Sequence, residues 1–117
     1  MANVCNLDYL KELSNGNKDF VTKMIQLFLD EIPAEILNLE KDIENKDYES
    51  IKQVAHKMKS TLPFVGLHEL AEQKLTEIED LAKKQIDIQK IQSLFFDVKE
   101  TCRLASEELT SNNFIQM

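Results

Sequence analysis

The chain has 117 residues and a formal charge of −7, from 21 acidic and 14 basic residues. This length favours one domain, and the acidic balance argues against a nucleic-acid partner, which normally meets a basic face. No apolar run approaches the roughly 18 residues of a membrane span, and the N-terminus lacks the layout of a signal peptide. With Cys5 and Cys102 interpreted as reduced thiols, the sequence predicts a cytoplasmic protein without a membrane partner.

The first half of the chain predicts one short and one long helix. Only two Gly and two Pro are present, while helix-favouring Leu, Glu, Lys and Gln are abundant. A short helix is predicted over Leu7 to Leu13, and Asn17 is the predicted N-cap of a helix from Lys18 to about Asn45. Pro33 interrupts this helix, but the apolar stripe stays in phase across it, which predicts one kinked helix. The predicted stripe comprises Phe20, Met24, Leu27, Phe28, Ile32, Ile36, Leu39 and Ile43.

The next predicted helix carries a histidine on its polar side. Asp47 is the predicted N-cap, and the helix extends over about Tyr48 to Leu62. At about 100° per residue, one apolar face is predicted to be buried, and the polar residues lie about 80° to 180° away from it. The apolar face holds Ile51, Val54, Ala55, Met58 and Leu62, and the other face holds Lys52, His56, Lys59, Ser60 and Pro63. His56 is therefore predicted to be exposed.

Two further helices complete the predicted fold. Gly66 is placed to end the histidine helix, and a third long helix follows over about Leu67 to Lys84, antiparallel to it. After a break at Gln85 to Asp87, a last helix covers Ile88 to Leu109, with a frayed tail from Thr110 to Met117. The predicted fold class is all-α: an antiparallel, up-down-up-down four-helix bundle with a short additional N-terminal helix. The predicted domain spans residues 1–117, with its core at about 7–109.

His56 is the candidate functional residue. No acidic residue occurs between Glu49 and Glu69, and the lysines at 52 and 59 disfavour the imidazolium form. The acidic runs at 40–44 and 77–80 are predicted to be solvated helix faces. A neutral ring without a neighbouring carboxylate in sequence is a nucleophile rather than a general base. The lysines would offset the charge of an added phosphate, although a surface histidine with incidental lysines remains open.

A family resemblance gives this histidine a specific role. The segment Ala55–Ser60 (AHKMKS), with Gly66 ten residues past the histidine, resembles the signature of the histidine-phosphotransfer (HPt) domain. Residues 17–33 resemble the first long helix of that family, and the resemblance covers about residues 7–109. It implies that His56 accepts the phosphoryl group and that Lys59 stabilises it. Ser60, Lys52 and Gly66 are then the candidates for receiver docking and site geometry, while Pro63 departs from the family pattern.

The resemblance implies a shuttle in a two-component phosphorelay. His56 would take a phosphoryl group from the aspartyl phosphate of a response-regulator receiver domain and pass it to another receiver. Such a protein has no kinase activity of its own and needs no cofactor, because the receiver supplies Mg²⁺. The implied partners are receiver domains, and the resemblance also allows a hybrid histidine kinase. The implied oligomeric state is a monomer.

Two other interpretations stay open. One is a helical-bundle adaptor that binds a receiver or another signalling domain without accepting phosphate. The other is the dimerisation hairpin of a histidine kinase, which normally has an acidic residue after its histidine; here that residue is Lys57. Phe64 and Val65 are candidates for an exposed apolar docking patch beside the histidine.

Overall fold

The computed structural model describes residues 5–111, with the backbone alone at Ser111, and all regular secondary structure in this range is helical. The helices are α1 (Asp8–Ser14), α2 (Lys18–Glu44), α3 (Tyr48–Thr61), α4 (Thr76–Lys84) and α5 (Ile88–Ser111). A 3₁₀ turn, Leu62–Val65, and a π-helical segment, Leu70–Leu75, lie between α3 and α4. Contacts join α2 to α3, α3 to α4, α4 to α5 and α5 to α2, which confirms the four-helix bundle. No helix of the described range is long and apolar enough to cross a membrane.

Side-chain caps begin both of the first two long helices. The Asn17 side chain accepts a hydrogen bond from the Phe20 N–H, 3.1 Å away. The Asp47 side chain accepts one from the Ser50 N–H, 3.2 Å away. Such caps typically stabilise a helix by about 1 kcal/mol. Both predicted N-caps are confirmed, so the sequence alone locates the starts of α2 and α3.

The predicted buried stripe of α2 is partly wrong. Phe20 and Leu27 are 37% and 43% exposed, whereas Val21 and Ile25 are buried. At about 100° per residue, the two buried residues fall within about 60° of Phe28 on one side, and the two exposed ones fall about 80° to 100° away on the other side. α2 has more apolar residues than its buried face can hold. The residues that are buried form a narrower stripe than the predicted one. Despite Pro33, α2 is one continuous helix, as predicted.

Gly66 closes the link between α3 and the next helix. α3 ends at Thr61, and Pro63 lies in the first turn of the following 3₁₀ segment. Gly66 has φ +86°, and a Cβ atom there would lie 2.5 Å from the backbone nitrogen of Asn6. Only glycine combines this left-handed conformation with so close an approach. The prediction that Gly66 ends the histidine helix is therefore wrong: α3 ends at Thr61, and Gly66 caps the 3₁₀ turn that follows. Pro63 lies outside the helix that carries His56.

The C-terminal helix is longer than predicted. α5 extends to Ser111, two residues past its predicted end at Leu109. Residues 112–117 lie outside the described range, and the predicted frayed tail stays a prediction. The buried residues of α5 recur at helical spacing from Ile91 to Leu109. Cys5 and Cys102 are free thiols, and burial raises the pKa of each to about 12. Both are therefore protonated and weakly nucleophilic at neutral pH.

Candidate functional site

His56 stands on the solvent side of α3. Its side chain is 75% exposed, whereas Ile51, Ala55 and Met58 on the same helix are buried in the bundle core. The predicted exposure of this histidine is therefore confirmed. The ring is held by α3 yet open to a macromolecule approaching from solvent.

A carboxylate from the neighbouring helix binds both His56 and Lys59. The Oε2 atom of Glu79 lies 2.8 Å from His56 Nδ1, and Lys59 Nζ donates to Glu79 Oε1 over 2.9 Å. His56 and Lys59 are separated by one turn of α3, and Glu79 belongs to α4. One side chain thus bridges the two residues that the sequence had singled out.

Glu79 corrects the prediction that His56 lacks an orienting carboxylate. The acidic run at 77–80 was expected to face solvent, but the Glu79 side chain is only 19% exposed. The contact joins residues 23 positions apart in sequence, so a search among the neighbours of His56 misses it. The predicted hairpin carries the missing signal, because residues about equally far from an antiparallel link lie opposite each other. Residues 56 and 79 are nearly equidistant from the segment that joins α3 to α4.

The ionised Glu79 carboxylate determines which ring nitrogen of His56 carries the proton. Burial raises the pKa of Glu79, but hydrogen bonds from Lys59 and His56 outweigh burial, and the pKa lies below its ordinary value. At neutral pH this side chain is a carboxylate, which accepts hydrogen bonds and cannot donate. The Nδ1 atom of His56 must therefore carry the proton that it shares with Glu79. In the neutral ring, the lone pair is then on Nε2, which has no hydrogen-bond partner within residues 5–111.

The lowered pKa of Glu79 also links the site to stability. A carboxyl whose pKa is lowered by folding stabilises the folded state above its ordinary pKa, 4.5 for this group. That contribution is lost as the pH falls through the folded-state pKa. The bridge between α3 and α4 is therefore fully formed at neutral pH and weakens in acid.

The other predicted site residues contact neighbours of their own. Lys52 pairs with Glu49 at 3.1 Å, so the structure does not bring its ammonium to the histidine. The exposed Ser60 donates a hydrogen bond to the Lys57 carbonyl over 2.7 Å. Gly66 lies at the hairpin link, against Asn6. The docking roles of the residues at 52, 60 and 66 stay predictions.

The apolar patch predicted beside the histidine is wrong at Val65. This residue is fully buried. Phe64 is half-buried against the core, and its ring centroid lies 6.1 Å from that of Tyr9. Tyr9 itself is exposed. Phe64 therefore retains some exposed surface, whereas Val65 belongs to the bundle core.

Lys57, the residue after the histidine, extends toward α2. Its Nζ atom lies 3.3 Å from Oε1 of Glu35. Glu35 is buried, and its contact with Lys57 is an ion pair without hydrogen-bond geometry, so neither carboxylate oxygen accepts a hydrogen bond within the described residues. Burial raises the pKa of Glu35, and Lys57 only partly offsets this effect. A buried, poorly solvated carboxylate destabilises the folded state at neutral pH.

We expect opposite effects on stability from Glu35→Met and Lys57→Met. The first replacement removes the buried charge and should stabilise the protein by about 1 kcal/mol at pH 7. The second leaves the charge unpaired and should destabilise it by about 1 kcal/mol, a modest value because Lys57 is largely exposed. The pKa of Glu35 is raised in the folded protein, so the folded state binds this proton more tightly than the unfolded state does. The destabilisation caused by the buried charge therefore disappears at low pH. Urea unfolding at pH 7 and pH 4 measures both effects, and equal signs for the two variants at pH 7 would contradict the assignment.

One comparison with known proteins identifies the family. The family model described as "Hpt domain" matches residues 23–104, which is more than half of the chain and includes the histidine site. The chain therefore belongs to the Hpt domain family. Domains of this family take part in histidine phosphotransfer in phosphorelays and interact with receiver domains. The chain matched no curated protein sequence and no solved structure in the corresponding searches.

Proposed function

We propose that the protein is a phosphorelay intermediate that accepts a phosphoryl group on Nε2 of His56 from a receiver aspartyl phosphate and passes it to another receiver. One observation supports this most strongly: Glu79 holds the Nδ1 side of an otherwise exposed ring. A fixed ring with a free Nε2 is a positioned nucleophile. The proposed setting is the cytoplasm, with the protein acting as a monomer and without kinase activity of its own.

The proposed step needs no proton transfer before attack. The Nε2 lone pair forms a bond to phosphorus as the bond from phosphorus to the aspartyl oxygen breaks, and the aspartate leaves as a carboxylate. The ring keeps its Nδ1 proton and gains positive charge, which the Glu79 carboxylate stabilises at 2.8 Å. In the second transfer, an aspartate of another receiver attacks phosphorus, and the bonding electrons return to Nε2.

Lys59 and the receiver divide the stabilisation of the phosphoryl oxygens. The Lys59 ammonium already lies beside the histidine, held by the same carboxylate, and it can donate charge-assisted hydrogen bonds to an incoming phosphate. Within residues 5–111, no group of three or more His, Cys, Asp or Glu side chains could hold a metal ion. In our proposal the Mg²⁺ ion is bound by the receiver, and this chain binds no cofactor.

Truncating Glu79 should slow phosphoryl acceptance more than neutralising it. Glu79→Ala releases both His56 and Lys59, and we expect the rate to fall by about 10²-fold, the usual effect of losing the position of a reacting group. Glu79→Gln retains an oxygen that can accept a hydrogen bond from Nδ1, so the loss of rate should be several-fold smaller.

Lys59→Ala should slow phosphoryl transfer while the fold stays intact. Rapid-quench labelling from a phosphorylated receiver measures these rates, and circular dichroism checks folding; equal rates for wild type and Glu79→Ala would contradict the assigned role.

The function itself is tested by transfer between two purified receivers. The protein is incubated with one receiver that carries labelled aspartyl phosphate, and a second receiver is then added. We expect acid-labile, alkali-stable label on this chain, followed by its loss to the second receiver. Binding of receivers without any labelling would instead support the adaptor.

A further inference from the structure

The helix that carries Glu79 does not begin as an α-helix. Leu70–Leu75 is π-helical, and the chain becomes α-helical from Thr76 onward. The Thr76 N–H bonds to the carbonyls of Ala71, five residues earlier, and Gln73, three residues earlier. The Thr76 hydroxyl donates to the Ala71 carbonyl over 3.2 Å. Ala71 O therefore receives two hydrogen bonds from Thr76, and the side chain stabilises the wide turn. Such turns are rare and commonly occur at functional sites.

The wide turn takes up one extra residue between two fixed points. At one end, Gly66 lies against Asn6, and the Asn6 N–H donates to the Val65 carbonyl over 2.8 Å. At the other end, Glu79 is bound to α3 through His56 and Lys59. A turn closed by a bond to residue i−5 contains one residue more than an α-helical turn. It therefore rotates the rest of the helix back by one residue, or about 100°.

This rotation decides which side chain reaches the histidine. A helix that was α-helical throughout from the Gly66 link would turn about 100° further by position 79. Residue 78 would then occupy the direction that residue 79 has now. That residue is Ile78, which is buried in the core. A continuous α-helix would thus bring an apolar side chain toward His56 and turn the Glu79 carboxylate away.

We propose that Thr76 is a positioning residue for the histidine site: by closing the π-helical turn, it brings the Glu79 carboxylate, and not Ile78, to Nδ1 of His56. Thr76 touches neither the ring nor the phosphoryl group and acts through the register of the helix. The effect on phosphoryl transfer rests on the proposed function, whereas the effect on the geometry of the ring does not. The two can therefore be measured separately.

The test removes the hydroxyl and then removes the extra residue. Thr76→Val keeps the size of the side chain but cannot bond to Ala71 O, whereas Thr76→Ser keeps the hydroxyl and serves as the matched control. Deleting the exposed Gln73 shortens the segment by one residue and lets it become α-helical without moving Glu79. We expect Thr76→Val to weaken the Glu79 contact, and we expect Thr76→Ser and the Gln73 deletion to retain it. The combined Thr76→Val and Gln73 deletion variant should regain it.

The first readouts are spectroscopic and use the protein without a receiver, and a separate labelling assay with a phosphorylated receiver measures phosphoryl acceptance. Ring ¹⁵N signals of His56 report the Nδ1–H tautomer, and ¹³C signals of the Glu79 carboxyl report its lowered pKa. In Thr76→Val we expect tautomer averaging and a carboxyl pKa that moves up toward its ordinary value, with a phosphoryl-acceptance rate several-fold lower. Unchanged signals in Thr76→Val, or a loss of the Nδ1–H signature on deletion of Gln73, would overturn the proposal. If Thr76→Val does not fold, the single deletion decides the question. Normal spectra without phosphoryl acceptance would count against the proposed function alone.

Discussion

Replacing His56 by Gln is expected to abolish phosphoryl acceptance and leave the fold intact. The histidine side chain is 75% exposed, and Gln favours helix well, so the free energy of unfolding should change by less than about 0.5 kcal/mol. The amide nitrogen of Gln has no available lone pair, because its electrons are delocalised into the carbonyl. Label from a phosphorylated receiver should therefore fall below detection, while binding to the receiver persists.

His68→Gln is the matched control for this experiment. His68 is the second histidine of the chain, is also exposed, and lies beyond the hairpin link, at the start of the helical segment that leads to α4. It makes none of the contacts that hold His56, so the His68→Gln variant should accept label at the wild-type rate. Label retained by His56→Gln, or lost from His68→Gln, would show that the acceptor has been assigned to the wrong residue.

The second large effect is expected at the hairpin link. Gly66→Ala places a Cβ at φ +86°, 2.5 Å from Asn6 N and 2.6 Å from Asn6 O. The left-handed conformation costs about 1–2 kcal/mol, and the forced shift adds about 1–3 kcal/mol. Backbone atoms cannot move aside as the end of a flexible side chain can. The free energy of unfolding should fall by about 2–5 kcal/mol, which for a domain of this size lowers Tm by roughly 10 °C or more.

Gly16→Ala separates the two contributions. Gly16 has φ +85°, almost the same as Gly66, but no atom lies within 4 Å of a Cβ built there. Only the conformational cost of about 1–2 kcal/mol then applies. The difference between the two alanine variants, measured by thermal and urea unfolding, isolates the close contact with Asn6. Equal losses would show that this contact does not constrain the link.

Local features of the sequence predicted most of the fold. Side chains such as Asn17 and Asp47 accept hydrogen bonds from N–H groups three residues away, so the sequence around them contains all that the cap needs. The face of α3 was equally predictable, because His56 and Met58 differ in burial by their angle about one helix axis. α2 shows the limit of that method. Its apolar residues cover more than one face, and only packing against the rest of the bundle decides that Ile25, and not Leu27, is buried.

The centre of the site was only half predictable. His56 and Lys59 occur one turn apart on one helix, so their shared position follows from sequence. Glu79 comes from another helix, and its register depends on the π-helical turn closed by Thr76. No residue pattern at the wide turn distinguishes it from an ordinary helix, because the buried positions at 71, 75, 78 and 82 also fit α-helical spacing. The predicted hairpin brings position 79 to the level of His56, but which side chain of that turn faces the ring was visible only in three dimensions.

The most direct test of the account is to identify the nitrogen that carries the phosphoryl group. The protein is labelled with ¹⁵N-histidine, phosphorylated by a receiver aspartyl phosphate, and examined for one-bond coupling between ³¹P and the ring nitrogens. We expect coupling to Nε2 of His56, with Nδ1 still protonated and bound to Glu79. Phosphate on Nδ1, or on any other residue, would contradict the account.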